Sequence, residues 1–167
     1  MLTSHELIGF MSPALAEQII AFAFESDKAL YRATLSAVAE AKKVRPVFLE
    51  RQPRTQRHAT MLTILTRPAM ELIAGNLIRQ WLLKKETKIV CQFLDALGIQ
   101  HKEGVIDDFP ASVDDEKLKA AVEGLLANFP HETVAVYLIA FNDMNEANWP
   151  NLKSMLENDS RLQLGHH

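Results

Sequence analysis

Thr133-Val134-Ala135-Val136-Tyr137-Leu138-Ile139-Ala140-Phe141 is the stretch whose reading decides the fold class. Its β-branched and aromatic content favours a strand, because such side chains suit a half-buried pleated surface. Yet Val134, Tyr137, Leu138 and Phe141 fall at i, i+3, i+4 and i+7, the spacing that lines one face of an α-helix. The chain offers no second convincing strand to pair with it. Read as a helix, the stretch makes the protein all-α, a multi-helix bundle of about six to eight helices with a smaller C-terminal helical extension.

On the N-terminal side of this stretch, Ser112 or Asp114 starts a helix reaching about residue 129, with Leu118, Val122, Leu125 and Leu126 on one face. On its C-terminal side, Trp149, Leu152, Met155 and Leu156 make a short last helix, begun by Asn148 with Pro150 in its first turn. Residues 99–111, rich in acids and turn formers, read as the connecting loop between a main bundle, residues 1–98, and the extension, residues 112–164. Residues 165–167 look like a tag remnant.

Further toward the start, Ser12 caps and Pro13 opens a helix to about residue 26, and Asp27 caps the next, residues 28–43. In the first of these, Leu15, Ile19, Ile20, Phe22, Ala23 and Phe24 cover most of the circumference, so it belongs in a core or against a second subunit. Pro46 and Pro53 interrupt the pattern, and residues 45–53 read as an ordered loop or short helical turn anchored by Phe48 and Leu49 with its arginines outside. A helix over residues 55–65 follows. Residues 70–97 then read as two helices separated by the polar run at residues 84–88 and stopped by Gly98.

The 167 residues, 48% hydrophobic and 23% charged, exclude a fibrous or disordered chain. One domain of this length buries a sufficient core without disulfides, and two small domains are also compatible with it. Cys91 is the single cysteine and has no internal partner, the first thirteen residues carry no Lys or Arg for a signal peptide, and no membrane span is expected. These features point to a cytoplasmic protein.

The formal net charge of -3 hides three blocks. Residues 1–27 carry four acids and no base, residues 28–102 carry 14 bases against 5 acids, and residues 103–167 carry 4 bases against 12 acids. Acidic ends can pair with the basic centre of the same chain or of a second copy. The basic excess is densest at Lys42, Lys43, Arg45, Arg51, Arg54, Arg57 and Arg67, with Glu50 the single acid among them. A guanidinium holds carboxylate or phosphate through two parallel hydrogen bonds, so Arg45, Arg51, Arg54, Arg57 and Arg67 are the candidate anion- or partner-binding residues. Against nucleic acid stand the sequence pI near 6.1 and the lack of a recognised reading element.

Catalytic chemistry has little to rest on. His5, His58, His101 and His131 lack the spacing that puts two imidazoles on one helical face, and dispersed ligands such as His101, Glu103, Asp107 and Asp108 are more simply solvated loop acids. Cys91 reads as core packing, although Lys85 and Lys88 could favour a thiolate if they faced it. The glycines are isolated, forming no phosphate loop or dinucleotide fingerprint. Neither metal nor cofactor is expected, and catalytic residues are not identified. The preferred expectation is a non-catalytic cytoplasmic interaction or regulatory module, homo-oligomeric through its apolar N-terminal helices or bound to an acidic protein. Binding of nucleic acid or another polyanion through residues 45–67 is the second reading. An enzyme whose site assembles only in the fold is the third.

Overall fold

The computed structural model describes residues 1–165, and His166 and His167 of the tag-like end lie outside the described residues. The fold is all-helical. Among the described residues ten α-helices follow in order: α1 (Ser4–Phe10), α2 (Pro13–Ser26), α3 (Lys28–Lys42), α4 (Pro46–Glu50), α5 (Arg54–Leu65), α6 (Glu71–Lys84), α7 (Thr87–Ala96), α8 (Asp115–Asn128), α9 (His131–Met144) and α10 (Pro150–Asn158). Short 3-10 turns occupy Pro68–Met70 and Ser160–Leu162. The count exceeds the expected six to eight because α1 and α4 span only 7 and 5 residues, too few to display a full apolar repeat. Among the described residues no helix is long and apolar enough to cross a membrane.

The chain divides into two compact units, residues 2–81 and residues 82 onward, so the 99–111 segment falls inside the second. By composition that segment resembles a connector, yet its backbone is tied down. Lys102 and Val105 exchange backbone hydrogen bonds at 2.9 and 3.0 Å, the Gly104 amide donates to His101 Nδ1 at 3.0 Å, and Trp149 Nε1 donates to the Pro110 carbonyl at 2.7 Å.

In the first unit, α2 packs against α3 and α5, and Leu15, Ala16, Ile19, Ile20, Phe22 and Ala23 are all buried. Its apolar circumference is therefore covered within its own unit. Ser12 accepts from the Leu15 amide at 3.2 Å and Asp27 from the Leu30 amide at 3.1 Å, each satisfying a free donor at a helix start. The unexpected helix α1 starts with a capping box, in which Glu6 accepts from the Thr3 amide at 3.2 Å, and is tied down by Glu71, which opens α6 and accepts from the Ser4 and His5 amides at 2.7 and 3.0 Å. Burial raises the Glu71 carboxyl, but the hydrogen bonds from His5 and Ser4 outweigh it and hold the group below its ordinary value. A depressed folded value means stability that is present above the unfolded value and lost as pH falls through the folded one. Acidification below the ordinary glutamate range is accordingly expected to fray α1 before the rest of its unit, read as faster hydrogen exchange at the amides of residues 4–10; Glu71→Gln should produce the same fraying at neutral pH.

The second unit is built around α9, where every residue from Thr133 to Phe141 is buried. This explains the ambiguous sequence: a helix covered on all sides needs no polar stripe, and β-branched and aromatic side chains serve there as packing volume. Ile89, Val90, Phe93 and Leu94 of α7 and Leu118, Val122, Leu125 and Leu126 of α8 are the buried faces packed around it. Phe141 lies 5.3 Å from Phe93, 5.5 Å from Phe109 and 5.3 Å from Trp149 between ring centroids, within the range of favourable aromatic pairs. At the last helix the expected cap is corrected. Trp149, not Asn148, occupies the cap position of α10; Asn148 takes a left-handed conformation with φ 56° and closes a turn whose amide at Ala147 is accepted by Asn145. Asp114 does cap α8, accepting from the Lys117 amide at 3.1 Å.

Gly104 is the glycine on which the 99–111 segment depends. Its φ is 91°, and an added Cβ would stand 2.8 Å from Val90 Cγ1. Gly104→Ala should destabilise the protein by more than about 1 kcal/mol in urea unfolding, since the left-handed backbone and the overpacked contact penalise the same atom.

Candidate functional site

The five candidate arginines distribute around α4 and α5, and their roles separate. Arg45 precedes α4 and Arg51 follows it, both exposed. Arg54 is the first residue of α5, exposed, with its guanidinium 5.0 Å from the Phe24 ring centroid. Arg57, one turn later, is half-buried; it lies 5.7 Å from the Phe24 centroid and 5.9 Å from that of Tyr31, and its Nη1 donates to the Glu50 carbonyl at 3.3 Å. Arg67 sits beyond the opposite end of α5, a helix about 18 Å long at 1.5 Å per residue. The fold thus gathers Arg45, Arg51, Arg54 and Arg57 at the α4–α5 corner and leaves Arg67 outside it.

Among the described residues, none of these five side chains has a carboxylate within ion-pair distance. The acids that do pair use other partners: Glu17 and Glu71 meet His58 and His5, Asp95 meets His101, and Glu123 and Asp159 both hold Arg161. Internal neutralisation, the simplest expectation from the charge blocks, is absent from the arginine corner.

The expected anchoring of residues 45–53 requires a correction. Leu49 is buried, but Phe48 is 57% exposed and Val47 38% exposed. Helix geometry is the reason: α4 is a single helical turn, so only one of its three apolar side chains faces α3, against which it packs. An aromatic and a valine therefore stand in solvent between Arg45 and Arg51.

Beneath the corner runs a hydrogen-bonded relay that the linear spacing of histidines does not reveal. His58 is 1% exposed; its Nδ1 is 2.9 Å from Glu17 Oε1 and its Nε2 2.9 Å from the Tyr31 hydroxyl. An ionised carboxylate can only accept, so in the neutral imidazole Nδ1 carries the proton toward Glu17 and Nε2 accepts from the Tyr31 hydroxyl. Burial pushes the Tyr31 phenol up from its ordinary value, more than the Arg57 charge draws it down. Tyr31 thus stays protonated at neutral pH and spends its proton on His58. Edge-to-face contacts among Phe24, Tyr31 and His58, at 5.1 to 5.7 Å, complete the platform on which Arg54 and Arg57 lie. The relay braces α2, α3 and α5 and fixes where the arginines stand.

The other candidates do not assemble. Cys91 is half-buried, and burial followed by the charges of Asp95 and Glu103 raises its thiol, so the lysine activation considered from sequence gives way to the opposite effect. His101 bonds Asp95 at 2.7 Å and the Gly104 amide, serving its own turn. Among the described residues no group of three or more His, Cys, Asp or Glu converges as a metal site would require. Compared with known proteins, the chain matches no family model, no curated protein and no solved structure.

Proposed function

We propose that the protein is a non-catalytic helical interaction module that docks an acidic protein segment on the α4–α5 corner. The observation that carries this reading is the combination of unpaired Arg45, Arg51, Arg54 and Arg57 with the exposed ring of Phe48. Arginine and aromatic side chains are the types that concentrate binding energy at protein interfaces, while a ring of cations steers an acidic partner and fixes its register. A face of this kind differs from a solvated one in also exposing apolar side chains, Phe48 and Val47. The apolar circumference of α2, the original motive for a homo-oligomer, is met inside its unit, so the reading favours a different chain as partner over a second copy. A cytoplasmic location accords with the lone unpaired Cys91.

Anisotropy with a fluorescent glutamate-rich peptide containing one leucine tests this. The peptide should bind at low salt and dissociate as salt rises, because exposed charges are screened. Arg45→Glu with Arg51→Glu, and separately Phe48→Ala, should each weaken binding by about tenfold or more, or at least about 1.4 kcal/mol. Both sites are exposed, so unfolding free energies should stay within about 0.5 kcal/mol per substitution. Tighter binding of duplex DNA than of the peptide would transfer the corner to a nucleic acid.

A further inference from the structure

Between α8 and α10 the second unit holds a cleft of about 690 Å3, a size that suits a small molecule. Asp115, Lys119 and Glu123 line it from α8, and Asn151, Met155 and Asn158 from α10, at the three- and four-residue spacing of a single helical face. Its floor is apolar, with Leu118 buried and Met155 half-buried between polar walls. Hydrogen bonds bridge the walls at both ends. At one, Asn151 Nδ2 donates to Asp115 Oδ1 at 2.8 Å and to the Val113 carbonyl at 2.9 Å. At the other, the Arg161 guanidinium donates to both oxygens of Glu123 at 3.0 and 2.5 Å and to both oxygens of Asp159 at 3.0 and 2.7 Å. The cleft is therefore finite, with a built boundary at each end.

The charges of the lining do not cancel. Arg161 is one cation shared by two carboxylates, and its hydrogen bonds hold both Glu123 and Asp159 below their ordinary values. That end thus stays ionised at neutral pH, with one negative charge in surplus. Asp115 spends one oxygen on Asn151, and among the described residues no cation lies within ion-pair distance of it. Along α8 the two anionic ends stand about 12 Å apart, eight residues at 1.5 Å each. The surrounding field has the same sign, since residues 103–167 carry 12 acids against 4 bases. Lys119, on the wall between the two ends, is the charge that opposes it.

We propose that this cleft binds a linear aliphatic polyamine, with one ammonium at Asp115, another at the Glu123–Asp159 end, and the methylene chain between them laid on Leu118 and Met155. The charge pattern and the apolar floor select this occupant together. A metal ion cannot reach both ends, and among the described residues no three ligands converge to hold one. A polypeptide would have to leave past both bridges, whereas a short polyamine ends where they do. An exposed ion pair holds little by itself. Two of them on one flexible ligand reinforce each other, and the methylenes removed from water add to both. The site belongs wholly to the second unit and does not depend on the docking reading of the α4–α5 corner.

Isothermal titration of the whole chain with spermidine, butylamine and trilysine tests this, with magnesium chloride as competitor. Spermidine should saturate a single site and bind at least about tenfold more tightly than butylamine, which reaches one end only. Asp115→Asn keeps the acceptor for Asn151 and removes the charge, and should weaken spermidine several-fold. Lys119→Ala removes the opposing cation and should strengthen it several-fold. Both positions are exposed, so the urea midpoints of the variants should match that of the wild type. Magnesium at matched ionic strength should leave most of the spermidine bound. Spermidine that binds no more tightly than butylamine, or that magnesium displaces fully, would overturn the proposal and reduce the cleft to diffuse attraction by an acidic surface. Unchanged affinity in Asp115→Asn would overturn it as well. Tighter binding of trilysine than of spermidine, lost in Asp115→Asn, would overturn it in favour of a basic protein segment.

Discussion

Trp149→Ala is expected to lower the unfolding free energy by about 3 to 5 kcal/mol, the cost of truncating a fully buried indole. Trp149 is 0% exposed, contacts the Phe141 ring at 5.3 Å and donates its Nε1 proton to the Pro110 carbonyl at 2.7 Å. The substitution therefore opens a cavity beside α9 and releases residues 99–111 from the start of α10 at once. Domains are stable by only about 5 to 15 kcal/mol, so the variant should be marginal at room temperature. Trp149→Phe keeps most of the volume and loses the hydrogen bond, and should cost about 1 to 3 kcal/mol. Urea unfolding followed by circular dichroism gives both values. A loss below about 1 kcal/mol for the alanine variant would show that Trp149 is not the anchor of its unit.

The next largest effect is expected at His58. His58→Ala removes a buried ring from the junction of α2, α3 and α5 and strands the Tyr31 hydroxyl, for a loss of about 3 kcal/mol. Tyr31→Phe leaves His58 Nε2 without its donor and should cost about 1 kcal/mol. Glu17→Gln should cost least, because the Glu17 side chain is 49% exposed and water takes over what the carboxylate gave. The order His58, Tyr31, Glu17 in urea unfolding is the signature of a brace anchored at its buried middle. Equal losses at Glu17 and His58 would instead indicate a buried ion pair.

Local rules made much of the fold legible. Ser12-Pro13, Asp27 and Asp114 are start signals that act through neighbouring amides, and the helices they announce are present. Period alone recovered α9, even though burial on every side had erased its polar stripe. What remained hidden depends on long-range partners. Helix α1 does carry a local start signal, the capping box of Thr3 and Glu6, but its tie to Glu71, 67 positions from Ser4, cannot be read locally. The His58 relay draws one residue from each of three helices, and pairing rules for adjacent histidines do not detect it. A clue existed in the spacing: His58 stands three before Met61 and seven before Leu65, on the inward face of α5. Phe48 misled for the opposite reason, because hydrophobicity was read as burial in a helix too short to bury more than Leu49.

The candidate site was visible as composition and invisible as geometry. Counting charges singled out the arginines, and only the fold separates Arg67 from the other four and shows that, among the described residues, none of them has a carboxylate within ion-pair distance. Chemical-shift mapping of the isotope-labelled protein during titration with the glutamate-rich peptide is the most direct test of the corner as a docking face. Perturbations should concentrate at residues 45–57, include the Phe48 ring and the Arg54 and Arg57 guanidinium groups, and disappear at high salt. Saturable binding that leaves these residues unshifted, or no binding at low salt, would contradict it.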